Sequence, residues 1–118
     1  IDVGEWAGRT YADIMADQGD IVDPHIALFS VRPPGGEWYD DIALRLQRWI
    51  DDTAHLEGDR LVIMHGMSSR VLRGILLGLP VDSHWQAPIA PSLPQGTMVM
   101  IENGQEEVVH LGGNAKPA

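Results

Sequence analysis

Residues 60–70 read Arg60-Leu61-Val62-Ile63-Met64-His65-Gly66-Met67-Ser68-Ser69-Arg70, and the four apolar residues 61–64 carry no polar alternation. An unbroken short apolar run is the pattern of a central β-strand covered on both faces. It stops at His65-Gly66. Ser68 or Ser69 can then cap a helix bearing Val71, Leu72, Ile75 and Leu76, and Gly78 followed by Pro80 ends it. The stretch is half of a strand-turn-helix unit. It predicts an α/β fold.

Downstream, four prolines between Pro80 and Pro94 predict a long irregular connection. Residues 97–102 and 107–111 read as strands joined at Asn103-Gly104, the dipeptide of a tight hairpin turn, so the domain should finish on a terminal β-hairpin. Residues 112–118 have little to bury and are expected to form a flexible tail, leaving 1–111 as one domain. Upstream, Trp38, Ile42, Leu46, Trp49 and Ile50 recur at three- and four-residue steps and predict a helix over 37–56. Glu37, Asp40 and Asp41 in its first turn suit the helix dipole, and the two tryptophans are read as core anchors rather than a ligand platform. Residues 19–36, broken by Asp23-Pro24 and Pro33-Pro34-Gly35-Gly36, read as a mobile surface segment. Residues 11–16 have the composition of a short helix.

The 118 residues are 44% hydrophobic, enough for one domain with a real core. A net charge of −9 opposes binding to a phosphate polymer, which argues against nucleic acid as a partner. With no cysteine, thiol nucleophiles, disulfide scaffolds and zinc knuckles are excluded. No apolar run approaches the roughly 18–20 residues of a membrane span. The protein is therefore expected to be soluble and, by default, cytoplasmic; the first residue is Ile, so a signal peptide can be judged neither present nor absent.

In open α/β sheets ligands collect beyond the carboxyl ends of the strands, where free N–H groups at a helix start hold an anion. His65 and Gly66 occupy that place. An imidazolium at His65 could donate to a phosphoryl oxygen, Gly66 lets the backbone approach closely, and Met67 to Ser69 would supply amide donors. On position alone a satisfied structural histidine fits equally well. Ser68 resembles the nucleophile of a serine-hydrolase elbow, but Arg70 stands where that turn needs glycine, and a capping role fits it better. His25, His55, His84 and His110 show no close spacing to a second ligand, and surface roles outweigh a metal site. Asp51, Asp52, Glu57 and Asp59 read as a solvated helix end and Glu106-Glu107 as a solvated strand edge. Trp85 could cover either the core or the pocket.

Three stretches, in order, resemble the histidine phosphatase superfamily, the phosphoglycerate mutase-like proteins. The first runs from Ile1 through Gly4-Glu5-Trp6-Ala7-Gly8 to Ile14, similar to the family's Gly-x-Trp-Glu-Gly segment, with Ala7 where Glu is usual. The second is Pro34-Gly35-Gly36-Glu37 with Asp40, Arg45 and Trp49, where Trp38 replaces a common Ser. The third is Leu61 to Gly66 running on to Arg70, Leu72, Leu77, Gly78 and Leu79, which looks like the strand, second catalytic histidine and helix.

The resemblance implies the later portion of a three-layer α/β fold, a mainly parallel sheet with helices on both faces, incomplete at its N-terminus. It implies a phosphatase that hydrolyses phosphomonoesters through a phosphohistidine, with His65 as the second catalytic histidine, stabilising charge on the equatorial oxygens, and Gly66 and Met67 contacting the substrate. The family's nucleophile lies in an Arg-His-Gly motif, whereas the sole His-Gly pair here is His65-Gly66, so this chain alone is expected to be inactive. Glu5 is near the place of the family's acid but does not match it. Phosphatase is favoured over mutase, because residues 17–34 are short and hold a single basic residue, Arg32. The implied mechanism needs no metal or organic cofactor. The implied partners are phosphate or a small phosphorylated substrate, with a homo-oligomer or an upstream segment completing the sheet. The alternative is a non-catalytic fragment or degenerate relative that binds an anion or a protein.

Overall fold

In a computed structural model that describes residues 1–113, the chain divides into two units, Ile1–Trp38 and Tyr39–Ala118, taken in turn below. The expected tail lies outside the described residues from position 114 onward.

The first unit opens on a 3-10 turn, Gly4–Trp6, followed by helix α1, Tyr11–Gln18. Thr10 caps α1 by accepting the Asp13 N–H at 3.1 Å, and Gly19, at φ 77°, ends it. Arg9 reaches along the helix to Asp13 at 2.8 Å and Asp17 at 2.6 Å; this guanidinium holds the Asp13 carboxyl below its usual range. Only Ile14 of α1 is buried, so the unit's remaining core comes from elsewhere. Residues 19–36, expected on the surface, supply it: Ile21 and Leu28 are fully buried, and Phe29 meets Trp6 edge-on at 5.7 Å. The turn at Asp23-Pro24 brings this about. Asp23 Oδ1 accepts from the His25 N–H at 2.8 Å and the chain doubles back into a bridge between Val22 and Phe29.

Two of the recognised stretches meet here backbone to backbone. The Glu5 N–H donates to Pro34 O and the Glu37 N–H to Asp2 O, both at 2.9 Å. A side chain at Gly4, which sits at φ 54°, would clash with Pro34 O, and one at Gly36 with Asp2 O. Glycine is required at both positions by close approach.

The second unit begins with helix α2, Tyr39–Thr53, shorter at both ends than expected. Its buried residues are Tyr39 and Ile42, while Trp49 is 36% exposed. Trp38 is buried as a core residue should be; Trp49 corrects the expectation, because burial along α2 is confined to its first turn. Past its end, Arg60 donates to Thr53 Oγ1 at 2.7 Å, to Thr53 O and to Leu56 O at 3.2 Å, a cation satisfying the last carbonyl of the helix and one beyond it. Helix α3, Gly66–Leu76, starts three residues earlier than a Ser68 cap would allow. It ends in a Schellman motif: Gly78, at φ 69°, donates to Ile75 O at 3.1 Å and Leu79 to Gly74 O at 3.0 Å.

The irregular connection carries a two-residue pair, β1 (Val81–Asp82) with β2 (Ala87–Pro88), and the predicted hairpin follows as β3 (Met98–Glu102) and β4 (Gln105–His110). Asn103 at φ 52° and Gly104 at φ 75° make its turn, as a two-residue hairpin loop demands. Trp85 is buried, settling it against the core. Both sheets are antiparallel and two-stranded. The mixed helix and sheet content is consistent with an α/β fold, but a three-layer, mainly parallel sheet is not formed among the described residues. The reason lies at residues 61–64, where the expected central strand has no ladder partner and leaves Leu61 73% and Ile63 90% exposed. No helix of the described residues is long and apolar enough to cross a membrane.

Candidate functional site at the start of α3

His65 is the N-cap residue of α3. Its backbone is extended, φ −89° and ψ 162°, and its side chain makes no capping bond; the residue is exposed. The first helical hydrogen bond runs from the Ser69 N–H to His65 O at 2.9 Å. Helix geometry therefore leaves the amides of Gly66, Met67 and Ser68 without an intrahelical acceptor. The expectation that Ser69 would also donate from its backbone is corrected, because its N–H belongs to the helix.

Neither serine caps. Ser68 Oγ donates to His65 O at 3.3 Å and Ser69 Oγ to Gly66 O at 2.9 Å, each turning back to a carbonyl three residues earlier. The Ser68 hydroxyl thus faces a backbone oxygen rather than a base, which removes the arrangement a serine nucleophile needs. No acidic residue lies in the first turn of α3. The positive end of the helix dipole, the three amides and an exposed imidazole coincide at one place, and that combination favours an anion.

The surroundings hold this helix start in place. Gly66 and Met67 are half-buried. Tyr39, at the start of α2, donates from its hydroxyl to Met67 Sδ at 3.7 Å. Arg70, one turn on, is buried; its Nε donates to Ala90 O at 2.8 Å and its carbonyl accepts the Ala90 N–H at 3.0 Å. Burial lowers the Arg70 pKa, opposed in part by the nearby Tyr39. Arg73 bonds both carboxylate oxygens of Glu106, at 2.7 and 2.9 Å, and Pro91 O at 2.8 Å. Glu106 is accordingly no solvated edge residue, although Glu107 is exposed.

Sequence reasoning missed Tyr39 and the Arg73–Glu106 pair. Tyr39 sits one helical turn before Ile42, a spacing that the apolar periodicity could have included. Nothing local marks a pair 33 residues apart. The other four histidines, His25, His55, His84 and His110, are exposed, and among the described residues no group of three or more His, Cys, Asp or Glu is placed to hold a metal ion. The first unit has a separate cavity of about 260 Å³ lined by Trp6, Tyr11, Phe29 and Arg9 among others, and the Arg9 guanidinium there is engaged by Asp13 and Asp17.

A model of the family described as Histidine phosphatase superfamily (branch 1) matches residues 1–113. No curated protein and no solved structure gives a significant match.

Proposed function

The chain belongs to the histidine phosphatase superfamily, and on that premise we propose that it supplies the second histidine of a phosphomonoester hydrolase. The observation that carries the reading is the exposed His65 at the N-cap of an 11-residue helix, beside three amides that the helix itself does not use. His65 donates a hydrogen bond to an equatorial phosphoryl oxygen, while Gly66 and Met67 present N–H groups to the same anion. As charge grows on those oxygens in the transition state, these donors stabilise it without reorganising. The phosphoryl group passes to a nucleophilic histidine outside these 118 residues, because the only His-Gly pair in the chain is His65-Gly66; the ester P–O bond breaks as the P–N bond forms, the leaving oxygen is protonated and departs as the alcohol, and water then breaks the P–N bond to release phosphate and regenerate the histidine.

Hydrolysis is preferred over transfer between hydroxyls. Residues 17–34 contain one basic residue, Arg32, and its Nε donates to Gly36 O at 3.2 Å. A mutase must hold a departing and re-entering phosphorylated intermediate, which calls for more positive charge than this segment carries.

The second reading, a protein-binding relative without turnover, draws on the exposed Leu61 and Ile63. In either case the segment 61–64 takes ladder partners from a second copy or an upstream segment, which would cover the apolar side chains.

The two readings separate on titration of the chain with inorganic phosphate, followed by amide resonances. Saturable shifts at Gly66, Met67 and Ser68, reduced in His65→Ala, support the phosphate site. Unmoved amides at that helix start contradict it.

A further inference from the structure

Tyr39 is the largest fully buried side chain, and its hydroxyl is aimed at Met67, the second residue of α3. Burying a phenol oxygen costs free energy that a phenylalanine of nearly the same shape would avoid. Since ring packing is common to both, what the hydroxyl adds is direction. It donates to the sulfur of Met67 at 3.7 Å, a thioether whose three rotatable bonds let it adapt to several positions when nothing restrains it. Met67 lies between Gly66 and Ser68, so the orientation of its peptide sets where the amides of the first turn point.

The next turn is held from another side. Arg70 and Ala90 exchange two hydrogen bonds, Nε to carbonyl at 2.8 Å and amide to carbonyl at 3.0 Å. Arg70 is thereby anchored on the irregular connection, whereas Met67 is anchored on α2. The start of α3 is located by two elements far apart in sequence.

We propose that Tyr39 is a positioning residue for the anion site at the start of α3, acting through Met67. This rests on the reading of His65 to Ser68 as a phosphoryl site. Tyr39 touches no substrate; it holds the first helical turn so that the amide donors meet the phosphoryl oxygens in register. Small errors in such placement are costly, since a misplacement of about 1 Å can cost on the order of a hundredfold in rate.

The test is a cycle of Tyr39→Phe, Met67→Leu and the double variant, in an active phosphatase carrying this chain, with His65→Ala alongside. Both single changes conserve volume, so melting temperatures should stay close to the parent. The expected result is a fall in kcat of roughly tenfold for each single variant, short of the hundredfold that a full ångström would cost. The double variant should lose no more than either single, because both cut the same link. Full turnover in Tyr39→Phe overturns the proposal, as do losses that multiply in the double variant. A melting temperature that falls in step with turnover assigns Tyr39 a purely structural role and overturns it too. If His65→Ala itself keeps turnover, the phosphoryl reading fails, which is distinguishable from failure of Tyr39 alone.

Discussion

Arg73 on α3 and Glu106 on β4 face each other fork to fork, Nε to Oε2 at 2.7 Å and Nη2 to Oε1 at 2.9 Å, with side chains 10% and 18% exposed. The pair joins α3, the helix that follows His65, to the terminal hairpin. Exposed ion pairs contribute about 0–1 kcal/mol, but a desolvated bidentate pair loses more when one partner is removed. Glu106→Ala should therefore destabilise the chain by about 2 kcal/mol in urea melts. Glu107→Ala, on the exposed neighbour, should change stability by less than about 0.5 kcal/mol.

Gly74 tests whether packing or propensity decides. Alanine in a helix interior is favoured over glycine by about 1 kcal/mol. Here a methyl group would stand 2.5 Å from Pro88 O and 2.7 Å from Pro88 C, both backbone atoms that cannot swing aside. Overpacking of this kind costs about 1–3 kcal/mol, so Gly74→Ala should lower the melting temperature. Gly78→Ala should also lower it, for a different reason, the strain of φ 69°.

Residues 61–64 bear on self-association. Leu61 at 73% and Ile63 at 90% exposure form an unpaired apolar run, the feature that natural edge strands usually guard with charge. The 118-residue chain should self-associate in sedimentation velocity, and Ile63→Lys should shift it towards monomer. A monodisperse wild-type chain that melts cooperatively would count against this.

Local signals were legible where the chain decides locally. The Asn103-Gly104 turn, the glycine and proline that stop α3, and the helix that follows His65 are all properties of a few neighbouring residues. Patterns that depend on a partner were not. The apolar run at 61–64 carries the composition of a covered strand, yet composition cannot supply the strands that cover it. Arg73 interrupts an apolar stretch and Glu106 follows a turn, and each looks solvated until the fold brings them together. Ile21 and Leu28 were hidden among turn residues, because the doubling-back that buries them is closed by backbone bonds such as Ser30 N–H to Ile21 O and Asp23 N–H to Leu28 O, which no residue type announces. The place of His65 ahead of a helix was legible, whereas the start of α3 was misplaced by three residues because Ser68 offered a cap that its hydroxyl does not make.

The central claim is that His65 stabilises charge on a phosphoryl group, and it is tested by steady-state phosphatase kinetics of His65→Ala in an active protein carrying this chain. Removing one preorganised donor costs about a hundredfold to a thousandfold in kcat, roughly 3–4 kcal/mol of transition-state stabilisation. Because His65 is exposed and makes no capping bond, thermal stability should be nearly unchanged, and Ser68→Ala should keep turnover near the parent's. A hundredfold or greater loss in kcat, with a preserved melting temperature, is the predicted result. Near-normal turnover in His65→Ala, or abolition of activity by Ser68→Ala alone, would contradict the account.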